Sequence, residues 1–139
     1  MNPEIPNNKN LENILKFLLY FESTDNEFFK IDLKYLMYPY VYSKEVDDFV
    51  EVLYKENIII IFDWPSWQNE AEKYYNDPEF LKTTDIGTLR KLLTLHVRKE
   101  RFCSGHLASM IASGHIVNIL KQLKTIRDNI RINKDSKMT

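Results

Sequence analysis

Apolar residues recur at helical spacing along most of the chain, and this pattern limits the fold more than any other feature. The first stripe has its apolar residues three and four positions apart and predicts a helix from about Leu11 to Glu22. Similar stripes predict helices over 43–56, 66–75, 85–97 and 115–129, with further short helices opening at 78 and 104. The chain is therefore predicted to be mainly α, a single compact helical domain of about six helices.

The starts of these helices are marked by residues whose side chains accept hydrogen bonds from the first free backbone N–H groups. Pro78 suits the first turn of a helix, because the N–H that it lacks is not needed there. Gly114 is predicted to end one helix in left-handed backbone and so to separate it from the next. The predicted N-caps are Ser43, Asp77, Thr84 or Asp85, and Ser104.

The segments outside these helices are short. Residues 58–62 are rich in β-branched side chains, so we expect at most one short strand pair near 58–62. The segments 1–9 and 133–139 are polar and are expected to be flexible tails. A chain of 139 residues has room for one domain, which we place at 1–139.

Glycine and cysteine are scarce, and this excludes several classes of protein. The three glycines, Gly87, Gly105 and Gly114, are too far apart for a Gly-rich phosphate loop or dinucleotide loop, so no cofactor is expected. The lone Cys103 rules out an internal disulfide and favours a reducing, cytoplasmic location. No apolar stretch approaches the roughly 20 residues of a membrane helix, so no membrane partner is expected.

Patterns for catalysis and metal binding are equally weak. Cys103 and His106 have a possible metal-ligand spacing, but no CxxC or HExxH motif accompanies them. The spacing of His96, His106 and His115 matches no common ligand pattern. A lone cysteine is more often an inert small side chain than a nucleophile. We therefore expect neither a metal site nor a catalytic residue, and a binding protein rather than an enzyme. A small enzyme stays open as an alternative and would need a deep pocket with a perturbed titrating group.

Charge is divided unevenly along the chain. Residues 1–87 hold 8 Lys and Arg against 17 Asp and Glu, whereas residues 88–139 hold 11 against 3. The basic C-terminal part suits an anionic partner. Alternatively, the two parts pack together and neutralise each other, and the long basic helix faces are simply solvated.

The strongest candidate for an anion site runs from Arg98 to His106. A helix start offers unpaired N–H groups and a partial positive charge, and we predict these at Ser104 and Gly105. Arg98 and Arg101 precede that start, and His106 stands in its first turn. Together these groups would bind an anion without a Gly-rich loop. The alternative is an ordinary N-cap at Ser104, with surface arginines and a partly buried His106.

A second candidate site is the turn that begins at Asp63. Trp64 and Trp67 are three residues apart and suit stacking on a base, while Asp63 suits a hydroxyl or an amine of the same ligand. In the alternative interpretation, both tryptophans fill the core and Asp63 caps the following helix.

Two segments carry a recognisable pattern, namely FDWPSW at 62–67 and LRKLLTLHVRKERFCSGHLASMIASGHIVNILKQL at 89–123. They resemble a family of small bacterial and phage proteins that is known only as a domain of unknown function. The resemblance covers roughly residues 58–127 and implies that the two segments belong together, without naming a reaction. The family patterns FDWxxW and RFxxGHxxxxIxxGxIxxxLxxL fall on Phe62, Asp63, Trp64, Trp67, Arg101, Phe102, Gly105, His106, Ile111, Gly114, Ile116, Leu120 and Leu123.

The two candidate sites combine into one hypothesis. We expect a non-enzymatic binding protein for an anionic, nucleotide-like ligand. Trp64 and Trp67 would stack on the ligand, while Arg98, Arg101 and the helix start at 104–106 would hold its charge.

Two alternative functions stay open. The segment 84–125 is similar to a helix-turn-helix module, whose last helix would contact DNA. The chain could instead be a protein-interaction or inhibitor protein, such as a phage or mobile-element accessory factor, which an exposed aromatic patch over 35–42 would favour. The residues predicted to contact nucleic acid are Asn118, Lys121, Lys124 and Arg127.

Overall fold

Helices dominate the computed structural model, which describes residues 4–23 and 25–138 and their side chains as far as residue 130. The prediction of a mainly helical domain with one short strand pair is confirmed. A 3-10 turn, Pro65–Trp67, leads into the fourth α-helix. In chain order the elements are α1 (Asn8–Leu15), α2 (Leu18–Glu22), β1 (Phe29–Ile31), β2 (Tyr40–Tyr42), α3 (Lys44–Lys55), α4 (Gln68–Asn76), α5 (Pro78–Leu81), α6 (Ile86–Glu100), α7 (His106–Ala112) and α8 (His115–Met138).

Helix α8 is the central element of the fold. It packs against α1, α2, α5, α6 and α7. As its apolar stripe predicts, Ile116, Ile119, Leu120 and Leu123 are fully buried. Among the helices described, none is both long enough and apolar enough to cross a membrane.

Three of the predicted N-caps are confirmed. Ser43 accepts a hydrogen bond from the third residue of α3, and Asp85 does the same for α6. Asp77 accepts from two N–H groups of α5. Gly114 separates α7 from α8 with a φ of +84°, which is the predicted left-handed backbone.

The first predicted helix is divided into two. Helix α1 begins at Asn8, because the side chains of Asn7 and Asn10 each accept a hydrogen bond from the other's backbone N–H. The chain turns before α2, and the Phe17 ring at this turn lies 5.4 Å from the Phe49 ring of α3. The break therefore accompanies packing between distant residues, which the local apolar spacing does not reveal.

The two predicted tails contain more helix than the sequence suggested. Residues 8 and 9 belong to α1, and α8 continues beyond Asn129 to Met138. No glycine or proline follows Gly114, so nothing in the composition stops α8 early. Residues 1–3 and 139 of these tails lie outside the described part of the chain.

The expectation of a strand pair near 58–62 is wrong in its position. The antiparallel pair joins β1 and β2 instead, with Lys30 opposite Val41. Residues 58–61 belong to neither a strand nor a helix. Ile60 N donates a hydrogen bond to Thr94 Oγ1 of α6 at 3.0 Å, and Ile58 is fully buried. Ile58 and Ile59 of this segment are therefore buried without pairing with another strand, whereas Ile61 is exposed.

Candidate functional site

A cleft of about 240 Å³ opens between the segment 60–64 and the C-terminal end of α6. It brings together parts of both sequence candidates, since Trp64 lines it together with Arg98 and Arg101. The ring centroid of Phe102 lies 6.0 Å from that of Trp64. The residues that define this cleft are Ile60, Ile61, Phe62, Trp64, Arg98, Arg101 and Phe102.

The two arginines of the cleft are one helical turn apart, at the C-terminal end of α6 and directly after it. Arg98 is half-buried, and Arg101 is exposed. Within residues 4–23 and 25–130, neither guanidinium forms an ion pair with a carboxylate. Both positive charges are therefore available to an anion from outside the chain.

Asp63 and Trp67, the other two residues of the second candidate site, do not line the cleft. Asp63 accepts a hydrogen bond from Ser66 Oγ at 2.6 Å, so its carboxylate stabilises the 3-10 turn. The Trp67 ring stacks on that of Tyr74, with their centroids 6.1 Å apart. Of the two tryptophans, the structure thus brings only Trp64 to the arginines.

The N–H groups at the start of α7 are bonded by side chains of the protein itself. The Glu100 carboxylate accepts from Gly105 N at 3.0 Å and from Leu107 N at 2.8 Å. The Tyr42 hydroxyl accepts from Ala108 N at 3.0 Å and donates to Glu100 Oε1 at 2.7 Å. The unpaired N–H groups that we expected at this helix start are therefore already used.

The predicted N-cap at Ser104 is wrong by one residue. Gly105 occupies that position with a left-handed φ of +92°, and no side chain caps the helix from there. Its Cα faces the Tyr40 ring so closely that an added Cβ would lie 2.5 to 2.9 Å from three ring atoms. Ser104 Oγ is buried, with no hydrogen-bond partner among the described residues. Close approach of Tyr40 thus explains why the turn needs glycine here.

Residues 29–42, which we call the hairpin, are attached to the corner between α6 and α7 through β2. Tyr40 packs on Gly105, and Tyr42 bonds to Glu100. Burial, together with the hydrogen bond to Glu100, raises the pKa of Tyr42 well above its ordinary value. The Tyr42 hydroxyl therefore remains a hydrogen-bond donor at neutral pH.

His106 contacts His96, which in turn contacts His115, and it does not line the cleft. His96 Nδ1 lies 2.9 Å from His106 Nε2, and His96 Nε2 lies 3.0 Å from His115 Nε2. We call these three rings the histidine chain. Because His96 uses one ring nitrogen toward each neighbour, the nitrogens do not converge on one point, and no metal-binding group of three is found within the described residues.

Burial lowers the pKa of every ring in the histidine chain. It lowers the pKa of His106 to about 4, with a further contribution from the charge of Lys99. It also lowers the pKa of His115 to about 4, with His106 as the second cause. The pKa of the fully buried His96 falls well below its ordinary value, again mainly through burial. The three rings of the histidine chain are therefore uncharged at neutral pH.

Sequence reasoning missed the histidine chain and the role of Glu100. A signal for the former was available, because His96 occupies a position on the apolar stripe of α6. His106 and His115 also follow glycines in the repeated triplet SGH, nine residues apart. Glu100 has no comparable signal, because the turn at Gly105 and the position of Tyr42 on the hairpin bring its partners to it.

The tip of the hairpin exposes a group of apolar side chains. Leu33, Leu36 and Met37 are 74%, 86% and 80% exposed, and Tyr35 and Tyr38 are more than half exposed. Contiguous exposed apolar side chains are typical of surfaces that contact another molecule.

The residues considered for nucleic-acid binding lie on α8. Lys121 and Lys124 are exposed, and Asn118 is half-buried. Arg127 is half-buried, with Nη2 3.0 Å from Asp128 Oδ1. Because α8 packs against five other helices, only a limited part of its surface is open to a DNA groove.

Comparison with known proteins identifies a family but no activity. The model of a family of unknown function, DUF6508, matches residues 6–129 of the chain. No curated protein and no solved structure matches. The cleft, the hairpin and the histidine chain all fall within the matched residues.

Proposed function

This chain belongs to the DUF6508 family, and from that premise we propose that it is a non-enzymatic binding protein for a small anionic ligand with an aromatic ring, such as a nucleotide. The aromatic ring stacks on Trp64 and Phe102, and the phosphate binds to Arg98 and Arg101. One observation carries the proposal: two arginines that lack ion pairs within the described residues share a cleft with the Trp64 ring.

The chemistry of the cleft suits the two ends of a nucleotide. A guanidinium group binds two phosphate oxygens through parallel N–H bonds. Indole and phenyl rings stack on the face of any base. A small inorganic anion would make no use of the aromatic rings, and a neutral aromatic compound would make no use of the arginines.

The size of the cleft limits the ligand. At about 240 Å³ it lies just below the range of roughly 300–1,000 Å³ that is usual for pockets of small molecules. A mononucleotide with its base on the aromatic rings and its phosphate on the arginines would fill this volume and leave part of the sugar in solvent. A mononucleotide is therefore a better candidate than a dinucleotide.

Adenosine 5′-monophosphate is expected to quench the fluorescence of Trp64 saturably. The measurement uses a Trp67→Phe background, because Trp67 is the second indole of the chain. Arg98→Ala and Arg101→Ala should each weaken binding about 10-fold or more, since a hydrogen bond to a charged group contributes about 1.5–3 kcal/mol. Adenosine and inorganic phosphate, titrated separately, measure the contributions of stacking and charge.

Lys16→Ala provides a matched control for the loss of positive charge. Lys16 is exposed at the end of α1 and does not line the cleft, so this variant should bind as the parent does. Equal losses in the arginine and lysine variants, or no quenching by any of the common nucleoside monophosphates, contradict the proposal. A response to a DNA duplex alone, lost with added salt and weakened by Lys121→Ala, would favour the alternative of DNA binding through α8.

Protein binding is a second candidate function, and the exposed tip of the hairpin favours it. The side chains of Leu36 and Met37 bury almost none of their surface within this protein. A pocket of a partner protein would bury that apolar surface. This candidate is consistent with an accessory or inhibitor protein of bacterial or phage origin, the origin that the resemblance implies.

Replacing Leu36 and Met37 together by serine should change the free energy of unfolding by no more than about 0.5 kcal/mol, because both side chains are exposed. A photo-crosslinking residue at Leu36 should form a discrete adduct with a partner protein in cells. The same residue at Lys44, exposed outside the hairpin, should form none. Adducts at both positions, or at neither, count against this candidate, and an adduct in the purified protein would identify a second copy of the chain as the partner.

We also infer a cytoplasmic location. Cys103 is a free and exposed cysteine. An exposed free thiol is typical of proteins in reducing compartments.

A further inference from the structure

The three rings of the histidine chain constrain one another's protons. Each of the two contacts holds one proton, because a hydrogen bond needs one donor and one acceptor. A neutral imidazole carries a single N–H. His96 therefore donates at one contact and accepts at the other. Which of its two nitrogens carries the proton determines the tautomers of both His106 and His115.

The number of protons that the ring nitrogens of the histidine chain can hold follows from this arrangement. When all three rings are neutral, the nitrogens carry three protons, two within the contacts and one on the outer Nδ1 of either His106 or His115. A fourth proton fills the remaining outer nitrogen and leaves both contacts intact. A fifth proton would have to enter a contact, where two N–H groups would face each other across 2.9 or 3.0 Å.

We propose that His106, His96 and His115 form a binding site for a single proton. The site takes up one proton with both contacts intact, and a second proton breaks a contact and separates α6 from α7 or α8. The rings can have this effect because each comes from a different one of these three helices. This proposal does not depend on the ligand of the cleft.

The surroundings of the histidine chain determine which ring carries the additional proton. His106 is the half-buried ring, whereas His96 and His115 are buried, so the charge costs least on His106. Lys99 of α6 repels the charge, and Tyr75 of α4 contacts the two buried rings with its own ring, at 5.8 and 5.3 Å between centroids. No carboxylate among the described residues forms a hydrogen bond with any of the three rings.

The sign of the pH dependence follows from these surroundings. Histidines of the unfolded chain bind protons near their ordinary pKa of about 6.5. In the folded chain, burial lowers the pKa of His106 and His115 to about 4. The unfolded state therefore holds more protons as the pH falls, and stability decreases between about pH 6.5 and 4. Separation of α7 would also remove Gly105 from beneath Tyr40 and so loosen the hairpin.

Nitrogen-15 NMR of the histidine side chains in the full-length protein tests the proposal, because it distinguishes rings with one N–H from rings with two. In a titration from about pH 7.5 to 3.5, a range that brackets these pKa values, we expect one additional proton on the three rings while the backbone signals of α6, α7 and α8 stay unchanged. Uptake of the second proton should coincide with the loss of those signals. His106→Leu should lower the pH of the first uptake by about half a unit or more, because the charge must then reside on a buried ring.

Two results overturn the proposal. Additional protons on two or three rings with unchanged backbone signals would falsify the limit of one proton. Unfolding of the protein before any ring gains a proton would contradict uptake by a histidine chain with both contacts formed. Should His106→Leu not fold, Lys99→Ala supplies an independent check, since removal of this repelling charge should raise the pH of the first uptake, whereas Lys91→Ala should not.

Discussion

Replacement of Gly105 by alanine is expected to lower the free energy of unfolding by about 2–5 kcal/mol. Two costs combine at this position. An L residue in left-handed backbone costs about 1–2 kcal/mol, and Gly105 has a φ of +92°. The new methyl group would also lie 2.5 to 2.9 Å from atoms of the Tyr40 ring, and overpacking of this kind costs about 1–3 kcal/mol. Urea denaturation followed by circular dichroism measures the loss.

The other two glycines separate these costs. Gly114 has a φ of +84° but nothing within 4 Å of an added Cβ, so Gly114→Ala should lose only about 1–2 kcal/mol. Gly87 lies in α6, with an ordinary contact of 3.6 Å to Asp85, so Gly87→Ala should gain up to about 1 kcal/mol from helix propensity. If Gly105→Ala is no more destabilising than Gly114→Ala, Tyr40 does not pack closely on this turn.

Replacement of Glu100 by alanine is expected to destabilise the fold by about 3–5 kcal/mol. The carboxylate accepts three hydrogen bonds, from Tyr42 Oη and from the N–H groups of Gly105 and Leu107. A half-buried donor that loses its partner costs about 1–3 kcal/mol. Because these donors belong to the hairpin and to α7, both elements should lose hydrogen-exchange protection along with the measured loss of stability.

Two further variants show whether the carboxylate itself is responsible. Glu100→Gln keeps one acceptor oxygen but turns an amide NH₂ toward the remaining donors, so its loss should be intermediate. Glu22→Ala removes an exposed glutamate from α2 and should change stability by about 0.5 kcal/mol or less. If Glu100→Ala is no more destabilising than Glu22→Ala, the capping of α7 by Glu100 contributes little.

Much of the helical framework could be predicted because it depends on residues close together in the chain. The N-caps at Ser43, Asp77 and Asp85 involve N–H groups two or three positions away. The inward face of α8 repeats every three or four residues. The position of the strand pair was not predictable in this way, since residues 58–62 have strand-like composition but lie against α6.

In the candidate site, too, the residue types could be predicted from the sequence, whereas their convergence could not. The residue types of Trp64, Arg98 and Arg101 indicated stacking and anion binding before any contact was known. Their convergence on one cleft depends on the packing of residues 60–64 against the end of α6. The same packing left Trp67 with Tyr74.

The order of amino acids alone was sufficient for the fold class, for the starts of α3, α5, α6 and α8, and for the chemistry that individual side chains offer. Which side chains meet depended on packing between distant segments. Packing brought Tyr42 of the hairpin to Glu100 at the start of α7, and it joined three histidines whose spacing matches no ligand pattern. The physical reason is that helix starts arise from strong local hydrogen bonds, whereas the relative placement of helices arises from many weak apolar contacts summed over the whole core.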